Sequence, residues 1–194
     1  METESVEEIL EATRHALCEH GYADLTVQRI ADESSMTSAA IHYHFDTKTE
    51  LLNAFLDYFT DEFERQLACE DDDPRKRLET FLSVVFEPAE NGDDDFAIAL
   101  MELKTQAPYQ DTYRERFVAV DERMRAAVAE AVRDGIEAGH FEPVDPDAVA
   151  RFVVTTINGG HVREVALGER LAETRRIIES YLEARLGWAP EVST

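Results

Sequence analysis

Cysteine, long apolar runs and lysine are the scarce features of this 194-residue sequence. The two cysteines, Cys18 and Cys69, are too few for a disulfide framework and are expected to pack as small hydrophobic side chains. No stretch approaches the roughly 18 consecutive apolar residues that a membrane-spanning helix needs. The acidic start, METESVEEIL, lacks the positive charge of a secretory signal. The sequence therefore predicts a cytoplasmic protein without disulfides and without a membrane partner.

Lysine contributes only three of the 19 basic residues, whereas 42 acidic residues bring the net charge to −23. An acidic, lysine-poor surface resembles that of proteins adapted to molar salt, where ions screen repulsion between carboxylates within about 3 Å. The composition therefore predicts a halophilic source. Such acidity ordinarily counts against nucleic-acid binding. Between Ser34 and Lys48, however, Asp46 is the only acid and Lys48 balances it.

One stretch, TVQRIADESSMTSAAIHYHFDTKTELL, which begins at Thr26, has the pattern of two short helices joined by a tight turn. Thr26 and Thr37 are favourable N-caps, and Ser34-Ser35-Met36 interrupts the apolar spacing between the helices. In the second helix Ile41 and Phe45 share one side, which leaves the other side polar. This arrangement is typical of a helix-turn-helix, whose second helix enters the major groove of DNA.

The run from Gly21 to Leu52 is similar to the DNA-binding domain of the TetR family of transcriptional regulators (TetR/AcrR-like). The similarity rests on GYADLTV, RIADESSMTSAAIHYHF and KTELL in this order. A later segment, DGIEAGHFEPVDPDAV, has the paired glycines, aromatic residue and Asp-Pro helix start that many family members have there. One departure is Ser35, where the family usually has the glycine of the turn. A positive φ at a serine would strain the backbone, so a slightly altered turn is expected.

The resemblance implies an all-α protein of about nine helices. Residues 1–47 would form a three-helix DNA-binding domain, and residues 48–194 a helical domain for effector binding and dimerisation. Helical spacing of apolar residues leads to the same class, and no strand pattern is present. A first helix is expected from Ser5 to a stop at Gly21. Later helices are predicted over 48–68, 74–89, 96–107, 109–139, 146–167 and 169–186.

The resemblance also implies where DNA would be contacted. Base edges would face Ser38, Ala39, Ala40 and His42, with Gln28 as a possible addition, and the phosphate backbone would face Thr26, Thr37, Tyr43, His44 and Lys48. The small Ser38-Ala39-Ala40 run permits close approach and contact with a thymine methyl group, but it offers no bidentate arginine for guanine. Sequence preference per half-site is therefore expected to be modest. Tyr43, and one of His42 and His44, could instead pack against their own domain.

A single helix-turn-helix binds one groove weakly, so the resemblance implies a homodimer on a palindromic operator, held by a four-helix bundle of the last two helices. Gly159-Gly160 lies in the middle of the first of these, where each glycine costs about 1 kcal/mol relative to alanine. The pair could let a second backbone approach closely at a two-fold axis, or it could kink the helix beside a ligand cavity.

By the same resemblance, the middle helices would enclose a small, lipophilic effector whose binding moves the helix that begins at Lys48. The protein would then be a ligand-responsive repressor, with no cofactor. Candidate lining residues are Phe59, Phe81, Phe86, Met101, Tyr113, Phe117, Phe152 and Asn158. Any one of the aromatic residues could equally belong to the core.

Two other classes of function compete with the regulator. Glu137-x-x-His140 has the spacing of di-iron helical bundles, but these need a second such motif and two further glutamates, and His161-x-x-Glu164 has the reverse order. No phosphate-binding loop, nucleophile elbow or zinc-spaced Cys/His set is present, so neither a catalytic nor a metal site is predicted. A helical interaction protein that does not bind DNA is compatible with the acidic surface and is the main alternative.

Overall fold

The computed structural model describes residues 2–68, 71–86 and 94–188. Over these residues the chain forms nine α-helices and no β-strand, which confirms the predicted all-α class. The helices are α1 (Glu2–Asp24), α2 (Val27–Asp32), α3 (Ser38–His44), α4 (Lys48–Leu67), α5 (Pro74–Phe86), α6 (Asp94–Gln106), α7 (Asp111–Glu137), α8 (Pro146–Leu167) and α9 (Leu171–Leu186). From α4 onward the helix ends lie within two residues of those predicted, except that the predicted residues 87–89 of α5 lie outside the described ranges, as does Cys69.

The stop predicted at Gly21 is a break within α1, which continues to Asp24. Gly21 has φ 70° and ψ 169° and interrupts the helical backbone of α1, a conformation that side chains with a Cβ rarely adopt. The next residue, Tyr22, donates its backbone N–H to the Glu102 carboxylate at 2.6 Å. A Cβ added at Gly21 would lie 2.9 Å from the same carboxylate, so glycine also leaves room for this bond.

Contacts divide the chain into two compact units, of which the first comprises Met1–Phe63 and Pro88–Val118. Its core is built from the apolar sides of α1, α2, α3, the first half of α4 and α6, with Tyr113 of α7. Ile9, Ile30, Ile41 and Leu51 are completely buried in it. Each such side chain contributes about 1.5–3 kcal/mol of hydrophobic free energy. The helix-turn-helix is therefore supported by one continuous core.

The second unit comprises Glu64–Glu87 and Ala119–Thr194. Buried residues of α5, α7, α8 and α9 form its core, and Trp188 closes it with its indole N–H donating to the Arg75 carbonyl at 3.2 Å. Asp145 is the N-cap of α8, and its carboxylate accepts the backbone N–H groups of Asp147 and Ala148. The division by function predicted from the sequence, 1–47 and 48–194, stays a prediction.

The two adjacent glycines of α8 differ in their surroundings. A Cβ added at Gly160 would lie 2.5 Å from the Thr174 methyl carbon, so this glycine lets α8 and α9 of the same chain approach closely. A Cβ added at Gly159 would meet nothing within 4 Å. Close approach was predicted for this pair, but at Gly160 the partner is the chain's own α9. Helix α8 continues from Pro146 to Leu167 without a break at the pair.

Candidate nucleic-acid interface

Threonine caps fix the start of both helices of the helix-turn-helix. The Thr26 hydroxyl accepts the backbone N–H of Arg29, and the Thr37 hydroxyl accepts that of Ala40, each at 3.2 Å. Caps of this kind contribute about 1 kcal/mol each. Both predicted N-caps are confirmed, so two of the residues assigned to DNA phosphates also define where α2 and α3 begin.

The turn between α2 and α3 needs no left-handed residue, so the strain expected at Ser35 was wrong. Among the described residues, only glycines have positive φ. Ser35 instead donates its backbone N–H and its hydroxyl to the Glu8 carboxylate, at 2.9 and 2.6 Å. These two bonds hold the pKa of Glu8 below its usual value, against the weaker opposing effect of burial. Ser34 adds a bond from its hydroxyl to the Ala31 carbonyl and accepts the Met36 N–H.

Helix α3 buries one side and exposes the other. Ile41 and Phe45 are buried, whereas Ala39, His42 and Tyr43 are exposed, with Tyr43 82% accessible. Tyr43 therefore does not pack into its own domain. Its ring meets only the edge of the half-buried His44, with ring centroids 5.3 Å apart. The exposed side offers small side chains and one projecting phenol, which suits close approach to a surface that carries hydrogen-bond acceptors.

A chain of hydrogen bonds joins α2 to α3. The Ser38 hydroxyl donates to Gln28 Oε1 at 2.8 Å, and Gln28 Nε2 donates to Asp32 Oδ1 at 2.9 Å. Ser38 and Gln28, both assigned to bases by the resemblance, therefore orient each other. The sequence analysis did not anticipate Asp32, which lies four residues from Gln28 on the same helical face.

The two cations between residues 24 and 50 both point to the end of α1. Lys48 donates from Nζ to the Tyr22 carbonyl at 2.7 Å, and this nitrogen lies 4.6 Å from the centroid of the Tyr22 ring. Burial lowers the pKa of Lys48, while Asp24 opposes this shift. Arg29 donates from Nη1 to the Asp24 carbonyl at 2.6 Å. Lys48 was assigned to a DNA phosphate, and its ammonium group is already hydrogen-bonded to the Tyr22 carbonyl in the protein.

Tyr22 is a junction of several elements of the first unit. Its N–H bonds to Glu102 of α6, and its carbonyl bonds to Lys48 at the start of α4. Its side chain hydrogen-bonds Tyr113 of α7. Burial, with a smaller contribution from Tyr22, raises the pKa of Tyr113 to about 12. Nothing in the local sequence indicated these partners.

The eight residues predicted to line an effector pocket are divided between the units. Phe59, Met101, Tyr113 and Phe117 belong to the first, and Phe81, Phe86, Phe152 and Asn158 to the second. Tyr113 and Phe81 are buried, whereas Phe152 is partly exposed and stacks on Tyr181. Asn158 donates to the Asp121 carboxylate at 3.3 Å and to the Val154 carbonyl at 3.1 Å. Their role in a pocket stays a prediction.

The second unit contains a polar cavity of about 250 Å³ between α7 and α8. It is lined by Asp121, Arg125, Arg151, Val154 and Thr155, none of which was predicted. Arg125 Nε lies 2.8 Å from the Asp121 carboxylate, so one of the two arginines is already neutralised. A sequence search for an apolar pocket passes over such a site because its lining is charged.

Large apolar side chains are exposed along α8 and α9 of the second unit. Phe152, Val162 and Leu167 on α8 and Ile177 on α9 are each at least 38% accessible. Gly159 is exposed on the same helix as the first three. Covering these apolar side chains with a second apolar surface would be favourable, because it removes them from water.

The Glu137-x-x-His140 motif lies where α7 ends. Glu137 is exposed at the end of α7, and His140 Nδ1 lies 3.9 Å from the Asp73 carboxylate. In the part of the chain that the structure describes, one group of three potential ligands lies within 4.8 Å, namely Glu19, His20 and Glu33. That group does not include the Glu137-x-x-His140 motif. Among the described helices, none is both long and apolar enough to cross a membrane.

Comparison with known families gives matches over both parts of the chain. Residues 9–55 match the family described as bacterial regulatory proteins, tetR family. Residues 74–187 match the family described as BetI-type transcriptional repressor, C-terminal. The first match contains all ten residues assigned to DNA contact, from Thr26 to Lys48.

Individual relatives give the same result. The crystal structure of a TetR transcription regulator from Haloarcula marismortui is 41% identical, with a TM-score of 0.88, over 95% of this chain and 99% of that one. The HTH-type transcriptional repressor KstR2 of Mycobacterium tuberculosis is 29% identical over 157 residues, which are 77% of this chain and 76% of the relative. A regulator from Saccharomonospora viridis, solved in complex with choline, is 24% identical with a TM-score of 0.81, over 95% and 98% of the two chains. At that identity the last likeness concerns the fold alone.

Proposed function

Because the chain belongs to the TetR family of bacterial regulatory proteins, we propose that it represses transcription by binding a palindromic operator as a homodimer, and that a small-molecule effector releases it. The family consists of DNA-binding transcriptional regulators. The proposal adds the symmetry of the operator, the dimer and the effector, and it places the protein in the cytoplasm with the DNA that it regulates.

The exposed side of α3 is the observation that carries DNA binding. Tyr43 projects from it, and the small residues beside it leave room for a base edge. Since Ile41 is completely buried and Thr37 caps the helix, this side is held in one orientation without DNA. A preorganised face loses little entropy on binding. The proposed contacts remain those assigned from the sequence, with Tyr43 as the principal phosphate contact.

Replacement of Tyr43 tests this directly. We expect Tyr43→Ala to weaken operator binding at least about tenfold, because each protomer loses a hydrogen bond to a charged phosphate, of about 1.5–3 kcal/mol. The probe is a duplex that the protein itself selects from a random-sequence library in about 1 M potassium chloride, compared by mobility shift with the DNA upstream of its own gene.

Tyr109 provides the matched control, since it is a tyrosine of nearly equal exposure, 83% accessible, in the loop between α6 and α7. Tyr109→Ala is expected to bind like the unchanged protein. Equal binding by both variants would remove Tyr43 from the interface. If no duplex is selected at any salt concentration, the alternative of a helical interaction protein without DNA binding becomes the better explanation.

The dimer is supported by the exposed apolar residues of α8 and α9, which a second copy of the same helix pair would cover. The effector part has weaker support, from the aromatic residues of the middle helices. In the polar cavity between α7 and α8 the Arg125 charge is paired with Asp121, which leaves Arg151 for an anionic group that such an effector would carry in addition to an apolar part. Differential affinity of such a ligand for two arrangements of the dimer would supply the energy for release.

A further inference from the structure

The helix-turn-helix carries more acid than base, although its proposed partner is a polyanion. Between residues 24 and 50 the acids are Asp24, Asp32, Glu33, Asp46 and Glu50, and all five are exposed. The cations of this segment are Arg29 and Lys48. DNA carries one negative charge per about 1.7 Å of its axis. The proposed complex therefore brings like charges together.

Neither cation can turn to a phosphate without disturbing an existing contact. Lys48 Nζ is hydrogen-bonded to the Tyr22 carbonyl and lies over the Tyr22 ring, and Arg29 Nη1 is bonded to the Asp24 carbonyl. Even if both reach the DNA, side chains from this segment neutralise at most two phosphates per protomer. Release of counterions, which drives most protein–DNA association, is correspondingly small.

Carboxylates flank the proposed phosphate contacts along the chain. Asp24 precedes Thr26 by two residues, and Asp46 lies two residues after His44 and two before Lys48. Contact of these segments with the DNA backbone would bring the carboxylates towards the phosphates, and their repulsion would weaken as the Debye length falls from about 10 Å at 0.1 M salt to about 3 Å at 1 M. A small cation between a carboxylate and a phosphate is attracted by both.

We propose that the protein–operator complex takes up monovalent cations such as K⁺, which neutralise exposed carboxylates such as that of Asp46 against DNA phosphates, so that operator affinity rises with salt concentration. The Asp24 carboxylate contributes less, because Arg29 Nη1 lies 3.9 Å from it. The inference rests on the proposed function, since it concerns the same interface. It differs from the ordinary case, in which the logarithm of the affinity falls by about 0.9 for each neutralised phosphate per tenfold increase in salt.

The test is a titration of the selected operator duplex, labelled for fluorescence anisotropy, with the full chain between about 0.2 and 2 M potassium chloride. Circular dichroism at each salt concentration shows whether helix content is constant, so that a change in folding is not taken for a change in binding. We expect a positive slope of log affinity against log salt concentration. In tetramethylammonium chloride of equal ionic strength, where the cation is too large to fit between the charges, we expect weaker binding.

Asp46→Asn removes one exposed carboxylate from each protomer and should lower the slope by about two for the dimer, which is about a hundredfold smaller gain over a tenfold range of salt. The control is Glu130→Gln, the same loss of charge at an exposed position of α7, which should leave the slope unchanged. Binding with an ordinary negative slope would overturn the inference and leave the proposed function standing. Equal affinity in the two salts, or equal slopes for Asp46→Asn and the unchanged protein, would also overturn it. Failure to bind any duplex would overturn both.

Discussion

Two surfaces of this protein expose side chains without charge, and they differ in the polarity of those side chains. On α3 the exposed residues include His42 and Tyr43, which can form hydrogen bonds, beside the small Ala39. On α8 and α9 the exposed side chains are aliphatic or aromatic, with Leu167 62% accessible. Polar side chains can form hydrogen bonds with a hydrated partner, whereas apolar ones are stabilised only when another apolar surface excludes water. The difference therefore indicates DNA as partner for the first surface and protein for the second.

The largest effect is expected from truncating the buried side chain that holds α3 in place. Ile41→Ala deletes buried methyl groups under α3 and should lower the free energy of unfolding by about 2–5 kcal/mol. Urea denaturation at constant salt measures the loss. The same change at Ile98, an exposed residue of α6, should cost less than about 0.5 kcal/mol. Similar losses at the two positions would show that α3 does not depend on its buried side.

The second surface can be disrupted without touching the first. Ile177→Glu places a carboxylate on the exposed side of α9, and we expect the dissociation constant of the dimer to rise at least about 100-fold, because a charge would be buried against apolar groups. Light scattering on a size-exclusion column measures the mass. Ile98→Glu introduces the same charge on α6 and should leave the dimer intact. A stable dimer of the Ile177 variant would place the interface elsewhere.

A smaller effect on stability is expected at the turn between α2 and α3, which precedes the first surface. Ser35→Ala removes the hydroxyl donor to Glu8, so the pKa of Glu8 should rise towards its ordinary value of 4.5. Since the pKa of Glu8 is lowered in the folded protein, its stabilising contribution is present above pH 4.5 and is lost as the pH falls through the folded pKa. The stability difference between the two proteins should therefore shrink in acid.

Carboxyl resonances of Glu8 followed by NMR against pH would measure this shift. Ser38→Ala is the control, because the Ser38 hydroxyl donates to an amide oxygen, that of Gln28, and not to a carboxylate. An unchanged titration of Glu8 in the Ser35 variant would contradict the proposed role of the hydroxyl.

Local signals in the sequence predicted much of the fold. Threonine caps at residues 26 and 37 marked helix starts correctly, and the glycine at residue 21 marked the break within α1, because each acts within four residues of itself. Contacts between distant residues were not accessible in this way. The carboxylate of Glu8, 27 residues before Ser35, accepts a hydrogen bond from the turn in which the family usually has glycine. The Tyr22 carbonyl accepts a hydrogen bond from the ammonium group of Lys48. At Gly160 the predicted neighbour was a second backbone at a two-fold axis, whereas the observed neighbour is Thr174 of the same chain.

The exposed side of α3 could be predicted from the sequence better than the effector pocket could. The exposed side of α3 follows from helical periodicity once Ile41 and Phe45 are placed inside. The lining of an effector pocket does not, since an aromatic residue of a core and one of a cavity have the same local pattern. The polar cavity between α7 and α8 depends on charged residues of two helices that the sequence separates by about thirty positions. The DNA contacts, the effector residues and the halophilic source stay predictions.

The bonds at Tyr22 make one residue common to several elements of the first unit. Its amide N–H donates to Glu102, its carbonyl accepts from Lys48 and its side chain bonds to Tyr113, next to the break at Gly21. A substitution that displaces this stretch of backbone would therefore weaken the attachment of α6, of α7 and of the start of α4 at the same time.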